Sequence, residues 1–169
     1  DVPGGTITAG AGTNQITVTW NSTGAQTVSV NYSNGCTAVT PTVYNVTVNP
    51  MQIPALSGPN PVCVNSTGNV YTTDAGMSNY VWSVSSGGTI TAGGSATDNT
   101  VTVTWFAAGA RSVSVNYTNS LSCEAVTPTV YNVTVNPRPV PTITGAGTIC
   151  GIPSAGNVYA TEAGMTGYI

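Results

Sequence analysis

Four cysteines are the side chains of this chain that could form covalent cross-links. Cys36 is equivalent to Cys123, and Cys63 to Cys150, each 87 positions further along a repeated sequence. Without histidine or a Cys-x-x-Cys motif, this spacing favours disulfides over metal binding. We predict a Cys63–Cys123 bridge within one unit, which would stabilise it by about 4 kcal/mol. The alternative is that Cys63 meets a cysteine of the next unit, because the two cysteines would lie at opposite ends of a simple β-sandwich.

A carboxylate recurs beside a turn in each repeat and is the candidate ligand for a cation. Asp74 precedes Ala75-Gly76, and Glu162 occupies the equivalent position 88 residues later. Asp74, with Asn79 and backbone oxygens nearby, and Glu162 in the next repeat are each a weak calcium candidate, although calcium takes six or more oxygen ligands. The alternative is a solvated acid at a turn. No other metal site and no cofactor is predicted.

The residue types needed for catalysis are missing. The chain has no histidine and no lysine, so a serine or threonine nucleophile lacks its ordinary base. A glycosidase needs two carboxylates beside one bond, whereas Asp74, Asp98 and Glu124 are isolated in the sequence. We therefore predict no catalytic and no cofactor-binding residues.

Charge is unusually scarce. Charged residues make up 4% of the chain, against roughly 25% in ordinary globular proteins. Arg111 and Arg138 are the only cations, so a phosphate-binding surface cannot form and nucleic acid is excluded as a partner. No apolar run approaches the roughly 18 residues of a membrane span, so membrane insertion is not expected. An uncharged surface favours a secreted protein, extracellular or on the cell surface.

The sequence repeats itself in register. Thr42–Pro50 recurs letter for letter as Thr129–Pro137, and Ile16–Trp20 recurs with one change as Val101–Trp105. A period near 87 residues corresponds to one small domain per repeat, so the chain is part of a tandem array. Neighbouring repeats of the same chain are therefore the expected partners.

Within each repeat, apolar and polar residues alternate with period two, which indicates half-buried β-strands. No segment has helical periodicity. The alternation predicts one buried set of side chains: Trp82, Val101, Val103, Trp105, Val113, Val115, Tyr117, Val133 and Val135.

The fold class is all-β, with tandem immunoglobulin-like sandwiches. Strands are predicted near residues 53–57, 69–73, 79–84, 88–92, 99–105, 110–117 and 129–136, which is about seven per repeat. Proline-rich boundaries give three parts: 1–50 is the C-terminal part of one repeat, 51–137 is a complete repeat, and 138–169 opens the next. Such linkers favour stiff, extended junctions.

The spaced pattern of a repeat resembles a known family. Its residues include Tyr80–Val84, Gly88–Thr91, Val101–Trp105 and Val133–Pro137, with Cys63 before them and Cys123 between the last two. The pattern is similar to the PKD-like, immunoglobulin-like repeats of very large Bacteroidetes surface proteins, such as gliding adhesins and other type IX secretion cargo. The Trp-Asp-Phe-Gly-Asp-Gly signature of PKD domains is absent. The resemblance implies a secreted, surface-attached β protein.

Together these features predict a non-catalytic structural repeat of an extracellular adhesin, stalk or filament. One alternative is an adhesive module that binds glycans or cells. A second is a filament subunit that polymerises by strand donation. Lateral association through outward ladders such as Thr100, Thr102 and Thr104 is a further hypothesis.

Overall fold

The computed structural model describes residues 1–169. The protein contains fourteen β-strands and no helical segment, and hence no helix long and apolar enough to cross a membrane. The strands are β1 (Gly5–Ala9), β2 (Thr17–Trp20), β3 (Gly24–Val30), β4 (Thr42–Val48), β5 (Leu56–Ser57), β6 (Val62–Cys63), β7 (Asn69–Thr73), β8 (Ser78–Val84), β9 (Gly88–Gly93), β10 (Thr100–Trp105), β11 (Gly109–Thr118), β12 (Thr129–Asn136), β13 (Thr144–Gly145) and β14 (Tyr159–Ala160).

Residues 51–137, called the central unit below, form two facing four-stranded sheets. One sheet has the order β5-β7-β10-β9 and the other β6-β12-β11-β8. All pairings are antiparallel except that of β6 with β12. This is the strand order of an immunoglobulin-like sandwich, so the predicted fold class is confirmed. The central unit has eight strands rather than about seven, because the two-residue β6 is too short to leave a periodic signal.

The core lies between the two sheets and follows the period-two pattern. On β10, Val101, Val103 and Trp105 are buried, whereas the threonines between them are half-buried on the outer face. The Trp105 indole N–H donates to the Tyr71 hydroxyl at 3.1 Å, so the core satisfies its polar atoms internally. All nine side chains predicted to be inward are buried in one cluster: Trp82, Val101, Val103, Trp105, Val113, Val115, Tyr117, Val133 and Val135.

The two flanking parts of the chain repeat portions of this sandwich. Residues 1–50, the N-terminal segment, form the hairpins β1-β2 and β3-β4, which correspond to β9-β10 and β11-β12. Residues 138–169, the C-terminal segment, contain β13 and β14, which correspond to β5 and β7. The registers match as well, since Gly24 pairs with Val48 as Gly109 pairs with Val135. The local sequence therefore forms the same pairs in each copy.

Candidate functional site

Asp74 is the carboxylate that connects distant parts of the central unit. It is half-buried at the turn after β7, and its Oδ2 accepts hydrogen bonds from the Ala55 N–H at 2.8 Å and the Tyr117 hydroxyl at 2.7 Å. The Tyr80 hydroxyl donates to the Asp74 carbonyl at 2.7 Å. The rings of Tyr80 and Tyr117 meet edge to face, with centroids 5.7 Å apart. These four residues, the Asp74 cluster, connect both sheets at the pole where the chain enters the central unit.

The electrostatics of the Asp74 cluster follow from these hydrogen bonds. The Tyr117 hydroxyl, and then the Ala55 N–H, lower the pKa of Asp74 because both stabilise the carboxylate. Burial and the adjacent Asp74 carboxylate raise the pKa of Tyr117 well above its ordinary value, so the phenol stays protonated and keeps donating. The cluster is therefore a stable charged hydrogen-bond network at neutral pH.

Glu162 repeats the first part of this arrangement in the C-terminal segment. Its carboxylate accepts from the Thr142 N–H at 3.0 Å, as Asp74 accepts from Ala55, and also from the hydroxyls of Thr142 and Thr161. These bonds, that of the Thr142 hydroxyl foremost, lower the pKa of Glu162 to about 2. No tyrosine equivalent to Tyr117 contacts Glu162, so its network is open on one side.

The structure gives Asp74 and Glu162 a hydrogen-bonding role. No cluster of three or more histidine, cysteine, aspartate or glutamate side chains is present around them. Calcium binding at Asp74 or Glu162 stays a prediction from sequence. The donors already directed at both carboxylates compete with a cation for the same oxygens.

The four cysteines are free thiols, and Cys63 and Cys123 do not meet. Cys63 pairs with Asn136 at the end of β12, whereas Cys123 follows β11 beside Asn119, near the start of β12. The 8 residues of β12 separate them, roughly 23 Å at about 3.3 Å per residue. A disulfide requires Cα atoms within about 7 Å. The predicted Cys63–Cys123 bridge within one unit is therefore wrong in this structure, because strand order places the two cysteines at opposite poles.

Both arginines bind backbone carbonyl groups. Arg111 donates to the carbonyls of Ser86 at 2.9 Å and Ala108 at 2.7 Å. Arg138, the first residue after the central unit, donates to the carbonyl of Val64 at 2.8 Å. Sequence reasoning missed this role, because the acceptor of Arg138 lies 74 residues away in the chain.

Comparison with known proteins identifies the family. The family model of the PKD-like domain matches residues 1–46 and 49–133. The chain belongs to the PKD-like domain family. No curated protein sequence matches it.

Two solved structures are similar to this PKD-like chain at low identity and a low TM-score. They are domains 4 and 5 of the S-layer protein SbsC, with 18% identity, 72% of this chain covered and a TM-score of 0.38, and domains 1–6 of the surface layer protein SbsC, with 15% identity, 87% covered and a TM-score of 0.38. This chain spans 62% of the first structure and 26% of the second.

The aromatic side chains of the central PKD-like unit do not form an exposed platform. Trp82 is buried and its indole N–H donates to the Asp98 carbonyl at 2.8 Å. Tyr131 is half-buried and its hydroxyl donates to the Gly58 carbonyl at 2.9 Å. Phe106 is the one exposed aromatic residue of this unit. Stacking of sugars on a row of rings is therefore not supported by the arrangement.

The outward faces of the PKD-like unit are ladders of small polar residues. Thr102, Ser112 and Ser114 are half-buried in the middle of their sheets, and Val81 and Val130 are exposed on the outer face of the second sheet. These surfaces have no concentrated charge. They suit contact with another flat, weakly polar surface better than binding of an ion.

Proposed function

We propose that this chain is a non-catalytic structural repeat of a long extracellular surface protein, acting in an adhesin, stalk or filament. The observation that carries the proposal is the path of the chain through the central unit. Thr129, at the start of β12, donates to the carbonyl of Pro54 at 2.8 Å, whereas Arg138 follows the end of β12. The chain thus enters at one pole and leaves at the other, which is the geometry of a linear array.

At both ends of the central unit, side chains form hydrogen bonds with the backbone. At the first pole, Asp74 holds the Ala55 N–H, and at the second, Arg138 holds the Val64 carbonyl. A linker that is hydrogen-bonded to the domain beside it has less conformational freedom. The prolines of the linkers at both ends of the central unit stiffen them further. These contacts support a semi-rigid rod made of repeats with boundaries at 1–50, 51–137 and 138–169.

We place the parent protein among large secreted surface proteins of the kind carried by type IX secretion in Bacteroidetes. The family membership, the in-register repeats and the scarcity of charge support this placement. Association of neighbouring arrays through the outward faces, with Val81 and Val130 at the contact, is the lateral arrangement that the surface favours.

An antibody raised against residues 51–137 tests this function on cells of the source organism. On a reduced denaturing gel we expect a band far above the 17.0 kDa of this chain, and we expect protease added to intact cells to remove it. A band that survives until the cells are lysed would place the protein inside the cell and overturn the proposal.

A further inference from the structure

Cys63 is an exposed thiol at the exit pole of the central unit, which is the end where the chain leaves this unit. It pairs with Asn136 at the end of β12. Arg138 donates to the carbonyls of Val64 at 2.8 Å and Asn65 at 3.2 Å. The residues that directly follow Cys63 therefore hold the first arginine of the linker, and the next repeat begins close to Cys63.

Cys123 lies at the opposite end, the entry pole, in the loop of residues 119–128 beyond the ends of β11 and β12. This loop is ordered by Asn119, whose side chain is buried. The Asn119 side-chain oxygen accepts hydrogen bonds from the N–H groups of Leu121 at 2.9 Å and Cys123 at 3.0 Å, and its own N–H donates to the Cys123 carbonyl at 2.9 Å. The half-buried Cys123 is thus fixed on the end of the unit that a preceding repeat meets.

The linker between two repeats is short. Pro141 is equivalent to Pro54, whose carbonyl accepts the Thr129 hydroxyl at the entry pole of the central unit. Five residues lead from Asn136, beside Cys63, to Pro141, and they span at most about 17 Å. The loop equivalent to residues 119–128 in the following repeat extends into this gap from the other side. Two cysteines can therefore approach to the Cα distance of about 7 Å that a disulfide allows.

Both cysteines belong to series that recur in the sequence. Cys36 is equivalent to Cys123, and Cys150 to Cys63. Within one unit the two cannot join, because the length of β12 separates them. In a tandem array, however, the exit-pole thiol of one repeat is opposite the entry-pole thiol of the next repeat at every junction.

We propose that Cys63 forms a disulfide with the cysteine equivalent to Cys123 in the following repeat, and that Cys123 is joined in the same way to the preceding repeat. The inference rests on the proposed function, because it needs neighbouring repeats of the same chain. Each S–S bond forms as two thiols lose two protons and two electrons. A protein disulfide of an oxidising compartment takes them up and is reduced to a dithiol.

These bridges change how the array carries tension. Cys150 follows Cys123 by 27 residues, and each of these two cysteines is bridged to a repeat further out. The covalent path through two repeats then contains 27 residues, which extend to about 90 Å, whereas two unbridged repeats extend to about 600 Å. Unfolding of a bridged repeat therefore adds little length to the array.

Thiol mapping of the full-length parent protein tests the inference. Free thiols are blocked with a maleimide in denaturant without reductant, and the peptides are then identified by mass spectrometry. We expect Cys63 to be unlabelled and linked to a peptide with the sequence Cys-x-Ala-Val-Thr-Pro, which is shared by Cys36 and Cys123. A free Cys63 thiol, or a link from Cys63 to a peptide of its own type, would overturn the proposal.

Cys123→Ser in the parent protein distinguishes a bridge between repeats from a bridge within one repeat. The substitution should release the thiol equivalent to Cys63 in the preceding repeat and leave Cys63 itself linked. Ser120→Ala, in the same loop, is the matched control and should release no thiol. Release of Cys63 by Cys123→Ser would mean that the bridge lies within one unit, and the proposal would be wrong.

Single-molecule pulling of the parent protein measures the mechanical consequence. After reduction, each unfolding repeat should lengthen the molecule by roughly 250 Å. Without reductant we expect no step of this size, and such steps would contradict the bridges. A parent that is not much larger than 17.0 kDa on a reduced gel would instead refute the proposed function, whereas a large parent with free Cys63 thiols would refute the bridges alone.

Discussion

The central unit and the flanking segments have nearly the same sequence, the same strand registers and the same turn hydrogen bonds, but they differ in burial. Trp105 is fully buried, whereas its equivalent Trp20 is only half-buried on a two-stranded hairpin. Alternation thus determines which face of a strand is apolar. Burial of that face requires the opposite sheet, which only the central unit has complete.

Replacement of the tryptophan by alanine should show the largest difference in stability effect between the central unit and the N-terminal segment. Trp105→Ala removes a buried indole and its hydrogen bond to Tyr71, so we expect the free energy of unfolding to fall by about 3–5 kcal/mol. Trp20→Ala should leave the main unfolding transition unchanged. Urea denaturation followed by far-UV circular dichroism measures both. An equal loss in the two variants would mean that the segments share one cooperative core.

A glycine under an aromatic ring gives the next comparison. A Cβ at Gly58 would lie 2.2 Å from Cδ1 of Tyr71, and one at Gly145 would lie equally close to Tyr159. Tyr71 is locked in the core, so Gly58→Ala should destabilise the central unit by about 1–3 kcal/mol through overpacking. Tyr159 is 51% exposed and lies outside the central unit, so Gly145→Ala should have no effect on that transition. Thermal unfolding of the two variants checks this difference.

The Asp74 cluster should make the stability of the central unit depend on pH in the acidic range. The pKa of Asp74 is lowered in the folded state, so its contribution is present above the unfolded pKa of about 3.9 and is lost as pH falls through the folded value. Asp74→Asn should lower the free energy of unfolding of the central unit by about 1–2 kcal/mol at pH 7. It should also make this free energy depend less on pH in the acidic range. Glu162→Gln should not alter unfolding of the central unit. Denaturant midpoints between pH 2 and pH 7 measure both effects, and an unchanged acid limb in Asp74→Asn would contradict this role.

The cysteines should show the smallest effect. Because Cys63 and Cys123 lie at opposite poles, Cys63→Ser and Cys123→Ser should each change the stability of the central unit by less than about 0.5 kcal/mol, even after oxidation. Peptide mapping of the oxidised monomer without reduction should find no Cys63–Cys123 link. Finding that link, with a loss of about 4 kcal/mol on reduction, would restore the original prediction and require a different strand order.

Much of the fold was predictable from local pattern. The period-two runs of Val101–Trp105 and Val133–Val135 placed the inward face, since successive side chains of a strand point to opposite sides. The two-residue β6 was missed because so short a strand carries no period. The partner of Asp74 was also missed: its acidic equivalent Glu162 marked the site as recurring, but Tyr117 lies 43 residues away.

The sequence alone therefore determined the all-β class, the repeat, the inward faces and the absence of a charged binding surface, because each follows from neighbouring residues or composition. The tertiary structure decided that Cys63 and Cys123 lie at opposite poles, that Arg138 binds the Val64 carbonyl at the junction, and that Asp74 accepts the Tyr117 hydroxyl. These features depend on which distant strands are neighbours, and strand order is set by packing of the whole sandwich.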